Sequence, residues 1–171
     1  MLRVMRIVVF FFGVLAISSL AQDSHREIAR QSDDRVRREV LKSLTSISVM
    51  VRSLEDGDET SAANLRLREA IELRLRSNSV VVREGFPRFE VMVFSPLPMT
   101  KDGFRTGILR ARLMEPVVLE RNGVKIIAET WSDFGTLVAG IGDADERLRF
   151  EVTRLVDRFC NDYLAANPKQ P

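Results

Sequence analysis

The sequence predicts an α+β fold: a two-layer sandwich whose mostly antiparallel sheet, in β-α-(β)-β-β-β-α order, carries both helices on one face. Three observations carry this expectation. Apolar residues recur at helical spacing in two stretches, near 61–77 and 148–163. They alternate with polar residues near 47–52, 89–94 and 105–119, the period of half-buried strands. Arg121-Asn122-Gly123 holds the Asn-Gly signal of a tight hairpin, joining the last of these strands to a returning one over 124–131. Two amphipathic helices bury best on one apolar sheet face.

Taken in order, the chain opens on the layout of a secretory signal peptide over residues 1–21. Arg3 and Arg6 precede an uncharged apolar run from Ile7 to Ile17, and Ser19-Leu20-Ala21 offers small residues for cleavage after Ala21. The run is too short for a membrane anchor, which needs about 20 apolar residues. No transmembrane span is expected after cleavage, and the address is periplasmic or secreted. Residues 22–43 are dense in charge and read as a tether, with a short helix over 34–42 leading into a single domain at 44–169.

In the first strand Ile47, Val49 and Val51 point one way, and Ser48, Met50 and Arg52 the other. Thr60 or Ser61 caps the first long helix, whose apolar face is Ala63, Leu67, Ala70, Ile71 and Leu75. Val80 to Val82 make a brief edge strand. Phe89, Val91 and Val93 alternate with Glu90, Met92 and Phe94, and a loop with Pro96, Pro98 and Gly103 follows. In the long next strand Leu109, Ala111 and Leu113 oppose Arg110, Arg112 and Met114. Pro116 lacks an amide donor, so the strand bends, bulges or lies at an edge there. The last helix buries Leu148, Val152, Leu155, Val156, Phe159, Cys160 and Tyr163, and shows solvent Arg147, Glu151, Arg154, Arg158 and Asp162. Acids at 143, 145 and 146 suit its N-terminus, and Asn167-Pro168 ends it.

Composition excludes several functions. The chain has 26 Lys+Arg and 24 Asp+Glu, and the leader takes two of the arginines and no acid. What remains is neutral, without the footprint of a nucleic-acid binder. The sole histidine, His25, lies in the tether, which removes His-based triads and His-metal clusters. Cys160 is the sole cysteine, so no internal disulfide forms, and its helix position predicts burial. Gly140-Ile141-Gly142 lacks the third glycine of a phosphate loop, and the acids after it would repel phosphate. Those acids lack the remaining ligands of a calcium loop. No catalytic residue, metal or cofactor is expected.

What stands out is the sheet face turned away from the helices. It carries Met50, Arg52, Glu90, Met92, Phe94, Arg110, Arg112, Met114, Lys125, Ile127, Glu129 and Trp131. A mixture of Met, aromatic and Arg is the composition of an interaction surface. The binding candidates are Met50, Arg52, Met92, Phe94, Arg110, Arg112, Met114, Ile127 and Trp131. The bland alternative is a solvated face on which Arg and Glu pair across strands.

Glu129-Thr130-Trp131-Ser132, then Gly135, then residues 155–168 with Asn161-Asp162-Tyr163-Leu164 and Asn167-Pro168 resemble a family of uncharacterised exported bacterial proteins. The resemblance covers roughly residues 44–169 and implies a signal peptide, a βαβββα domain and no known activity. The expectation is an exported, non-enzymatic interaction domain of the cell envelope that binds a protein partner through its open sheet face. A small-molecule or lipid carrier is the alternative, and an enzyme of unrecognised type stands third.

Overall fold

The structure, a computed structural model, describes residues 35–42, 44–53, 60–97, 104–140 and 142–168. The leader, most of the tether, the break at 54–59 and the loop at 98–103 lie outside the described residues. The chain divides into two compact units, Met1–Glu39 and Val40–Pro171. Of the first, only 35–39 are described, and they are helical. Helical residues 35–41 form α1.

The second unit follows the predicted class. Strand β1 (Ser48–Ser53) leads through helix α2 (Ala62–Ser77) to β2 (Arg88–Leu97), β3 (Phe104–Val118), β4 (Lys125–Gly140) and helix α3 (Ala144–Ala166). The sheet order is β1-β2-β3-β4. β1 and β2 are parallel, because α2 carries the chain back between them, and the other pairs are antiparallel. The brief edge strand at 80–82 is a single parallel bridge, Ile47 to Val82. Ile47 uses its amide and carbonyl on Val81 and Arg83, while the Ser48 amide turns to Pro87. That segment therefore flanks β1 on the side away from β2.

Ser61 is the α2 cap, its hydroxyl accepting from the Asn64 amide at 3.3 Å. The buried stripe of α2 is Asn64, Leu67, Ile71 and Leu75. Ala63 and Ala70, expected on it, are exposed. The stripe is narrow because Ala gains little from burial and the longer side chains set the docking angle. Glu151 of α3, expected in solvent, is buried and pairs with Arg154 at 2.7 Å.

Phe89, Val91, Leu109, Ala111 and Leu113 face the helices and are fully buried with Val152, Leu155, Val156 and Phe159. Trp131 joins them, 1 % exposed. This corrects its placement on the open face. β4 pairs Glu129 with Met114 but Trp131 with Leu113, so Thr130 is an extra residue. Such a bulge reverses which face every later side chain takes. The indole meets Phe159 edge-on at 5.1 Å and Phe89 at 6.1 Å, and its Nε1 donates to Asp162 Oδ2 at 2.9 Å. Asp162, expected on the solvent side of α3, thus ties the helix to the sheet.

β4 also runs on to Gly140 instead of ending at Trp131, with Gly135, Leu137 and Ala139 buried. At the other end, Val124 and Ile126 are about half exposed. Pairing with β2 begins at Arg88 and Met114, so among the described residues the hairpin beyond them has no third strand beside it. Pro116 is tolerated there for that reason. Leu119 donates its amide to Val124, so in alternation Pro116 falls at a position that bonds away from β4. Gly123 closes the turn with φ of +69°, a conformation that suits glycine. Among the described residues, no helix is long and apolar enough to cross a membrane.

Cys160 is buried as predicted, and burial pushes its thiol up to about 11, with Asp157 adding to the shift and Arg74 opposing it. An unfolded thiol ionises nearer its ordinary value of 9.0. Between about 9 and 11 the unfolded chain therefore binds fewer protons at this site, and stability falls as pH rises. Urea denaturation across that window is expected to show a steeper loss in the wild type than in Cys160→Ala.

Candidate functional site

The sheet face opposite the helices is built in rows set by strand register. One row is Ser48, Arg88, Met114 and Glu129; the next is Met50, Glu90, Arg112 and Ser132; a third is Arg52, Met92, Arg110 and Phe134. Phe94, Ile108 and Thr136 follow. Paired residues share a face in either kind of ladder. Of the nine predicted binding residues, Met50, Arg52, Met92, Phe94, Arg110, Arg112, Met114 and Ile127 lie on this face. Trp131 does not. The open face also holds Arg88, Ile108, Phe134 and Val138, which the candidate set omits. Arg88 and Ile108 were readable from the alternation around Glu90 and Arg110. Phe134 and Val138 needed both the bulge and the full length of β4.

Charge on this face is organised as a chain of ion pairs. Glu90, 2 % exposed, receives Arg88 Nη2 at 2.8 Å on one oxygen. Its other oxygen accepts from Arg112 Nε at 2.9 Å and Nη2 at 2.7 Å. Glu129 accepts from Arg110 Nη2 at 2.6 Å. Arg112 Nη1 lies 3.9 Å from Glu129 and links the two groups. Both ends of the chain are arginines over rings. The Arg88 guanidinium carbon sits 4.8 Å from the Phe86 ring centre, and that of Arg110 sits 5.1 Å from Phe134. Both rings stand about half exposed. Arg52 reaches back to Met50, donating from Nε to its sulfur at 3.2 Å.

A carboxylate taken this far out of water is costly unless it is fully paired, and Glu90 is held by three guanidinium nitrogens. The pairing also holds the arginines in place. A stacked, ion-paired guanidinium loses little freedom when it meets a further carboxylate or phosphate, and its fork suits two oxygens at once. Among the described residues, the face carries Arg88, Arg110 and Arg112, all ion-paired with Glu90 or Glu129. Around them lie Met92, Phe94, Ile108 and Phe134, the last two more than half exposed. The surface can therefore receive an anionic group beside apolar side chains. Among the described residues, no group of three or more His, Cys, Asp or Glu is placed to hold a metal ion.

Removing one member of this chain exposes how tightly it is coupled. Glu90→Met is expected to lower the unfolding free energy by about 3 kcal/mol in urea denaturation, because it strands two partly buried cations. Adding Arg112→Met should recover part of that loss. Losses that simply add would show that the pair is not coupled.

No family model and no curated protein matches the chain. Solved structures of similar outline include a PelC dodecamer from Paraburkholderia phytofirmans, at 15% identity and TM-score 0.40, covering 67% of this chain and 86% of that one. A minor lipoprotein from Acinetobacter baumannii matches at 13% identity and TM-score 0.39, covering 76% and 99%. Lipoprotein GNA1162 from Neisseria meningitidis matches at 15% and 0.37, covering 68% and 99%. Likenesses at these scores are of general outline and carry no function to this chain.

Proposed function

We propose that this chain is an exported, non-enzymatic interaction domain of the bacterial cell envelope, and that its open sheet face binds an acidic, partly apolar segment of a partner protein. Export rests on the leader, with its basic start, apolar run and small residues before Gln22. The observation that carries the binding reading is the ion-pair chain that ends at both sides in arginines over exposed phenylalanines. A merely solvated face pairs its charges and covers its apolar groups. Here, among the described residues, Ile108 and Phe134 stay exposed beside the ion-paired Arg110. The occupant is acidic by charge complementarity, and apolar where it meets these side chains.

A binding role, not catalysis, fits the side chains this domain offers. His25 is the sole histidine, and the Cys160 thiol is buried and held protonated at neutral pH.

A photo-crosslinking residue at Thr136, exposed on this face, tests the reading in cells. Adducts to one envelope protein are expected from position 136, weakened at least tenfold by Arg110→Glu. The same residue at Thr153, on the solvent side of α3, should yield none of them. Equal adducts from both positions, or adducts indifferent to Arg110→Glu, would overturn the proposal.

A further inference from the structure

Among the described residues β4 closes one side of the sheet and no strand pairs with its outer edge, which is unusual in what it leaves unprotected. The strand has 16 residues, no proline and three charges, Lys125, Glu129 and Asp133. Asp133 is engaged by Arg158 from α3 at 2.7 Å. At the hairpin end the apolar residues are open on both faces: Val118 is 56 % exposed, Ile126 40 % and Ile127 46 %. Long apolar edges are templates for another strand, and folded proteins usually blunt them with charge, proline or bulges. The bulge here lies at Thr130, beyond this segment.

Backbone alternation says which groups are on offer. Leu119 donates to the carbonyl of Val124, so Ile126 bonds inward to β3, while Lys125 and Ile127 turn their amides and carbonyls to the outer edge. The side chains of Lys125, Ile127 and Glu129 share the open face, opposite Val118, Pro116 and Met114.

We infer that this edge pairs with the same edge of a second copy of the chain, antiparallel about a two-fold axis at Ile127. In that register Ile127 meets Ile127 of the second copy as a mutually hydrogen-bonded pair. Lys125 of each copy stands beside Glu129 of the other, and Ile126 beside Ala128. Charge selects this register. Shifting the axis by one residue sets Ile127 against Lys125 or Glu129, and moving it to Glu129 sets two carboxylates against each other. A self-complementary patch of this kind is what a two-fold dimer requires. A lipid surface is the poorer occupant, since the hairpin tip, Glu120-Arg121-Asn122, would enter it first. The pairing would join two open faces into one continuous sheet, and it does not depend on what those faces bind.

Sedimentation of the purified protein is expected to give twice the mass of the chain. Lys125→Glu, which faces Glu129 of the second copy, should weaken association by about tenfold. Ile127→Cys tests the register directly. Its two copies lie with Cα atoms about 5.5 Å apart, within disulfide reach, so mild oxidation should join them on a non-reducing gel. Ile126→Cys, which faces Ala128, should not be joined, and the buried Cys160 of the wild type serves as the control. Circular dichroism checks that each variant folds. A monomeric wild type, association indifferent to Lys125→Glu, or adducts from Ile126→Cys as efficient as those from Ile127→Cys would overturn the inference.

Discussion

One extra residue in β4 sets both halves of this domain. Because Thr130 is skipped in the register with β3, Glu129 keeps the open face while Trp131 turns to the helices two positions later. In an unbroken strand the two would share a face, and either the ion-pair chain or the core would lose a member. With the bulge, Glu129 meets Arg110, and the indole fills the space between Phe89 and Phe159. Everything further along β4 inherits the new phase, so Leu137 and Ala139 are buried while Phe134 and Val138 come to the surface. Bulges that re-aim a strand in this way are built-in features of a fold, not defects.

The same indole fastens the C-terminal helix. Phe159 packs against both Phe89 and Trp131, and Asp162 accepts from the ring nitrogen. The ion pairs around this contact, Arg158 to Asp133 and Arg74 to Asp157, are partly in water and add modestly. Most of the adhesion comes from apolar area between α2, α3 and the sheet. The Asn167 side chain then bonds the carbonyl of Leu41, so the end of α3 is tied to the chain just before β1. Glu90 behaves differently. Its burial among arginines offers less stability than an apolar core of the same size would. What the pairing does is hold Arg88 and Arg112 in place on the open face.

Much of this was legible in the sequence. The 3.6-residue stripe ending in Phe159, Cys160 and Tyr163 announced α3, and alternation announced three strands with their faces correct as far as Glu129. Asn122-Gly123 located the hairpin. What stayed hidden depended on contacts distant in the chain. Nothing local to Glu129-Thr130-Trp131 marks the bulge, since it exists only through the partner strand. Asp162 and Glu151 have the helical phase of solvent residues, and it is the indole that recruits the first. Ala63 has the phase of a core residue, yet the longer Leu67, Ile71 and Leu75 turn the helix so that Asn64 is buried instead. The open face was legible as a surface, but its order was not. Arg88 lies two residues from Glu90 on the same strand, but that Arg112 reaches Glu90 follows from register between strands, which no periodicity reveals.

The bulge, the core and the ion-pair chain all turn on where the sole tryptophan points. Acrylamide quenching of the native protein's fluorescence measures this without any substitution. A buried Trp131, packed on Phe159 and bonded to Asp162, should emit at short wavelength and be quenched far less than in the urea-unfolded chain. Emission at long wavelength with native quenching close to that of the unfolded chain would return Trp131 to the open face. It would contradict the bulge on which the core and the ion-pair chain both depend.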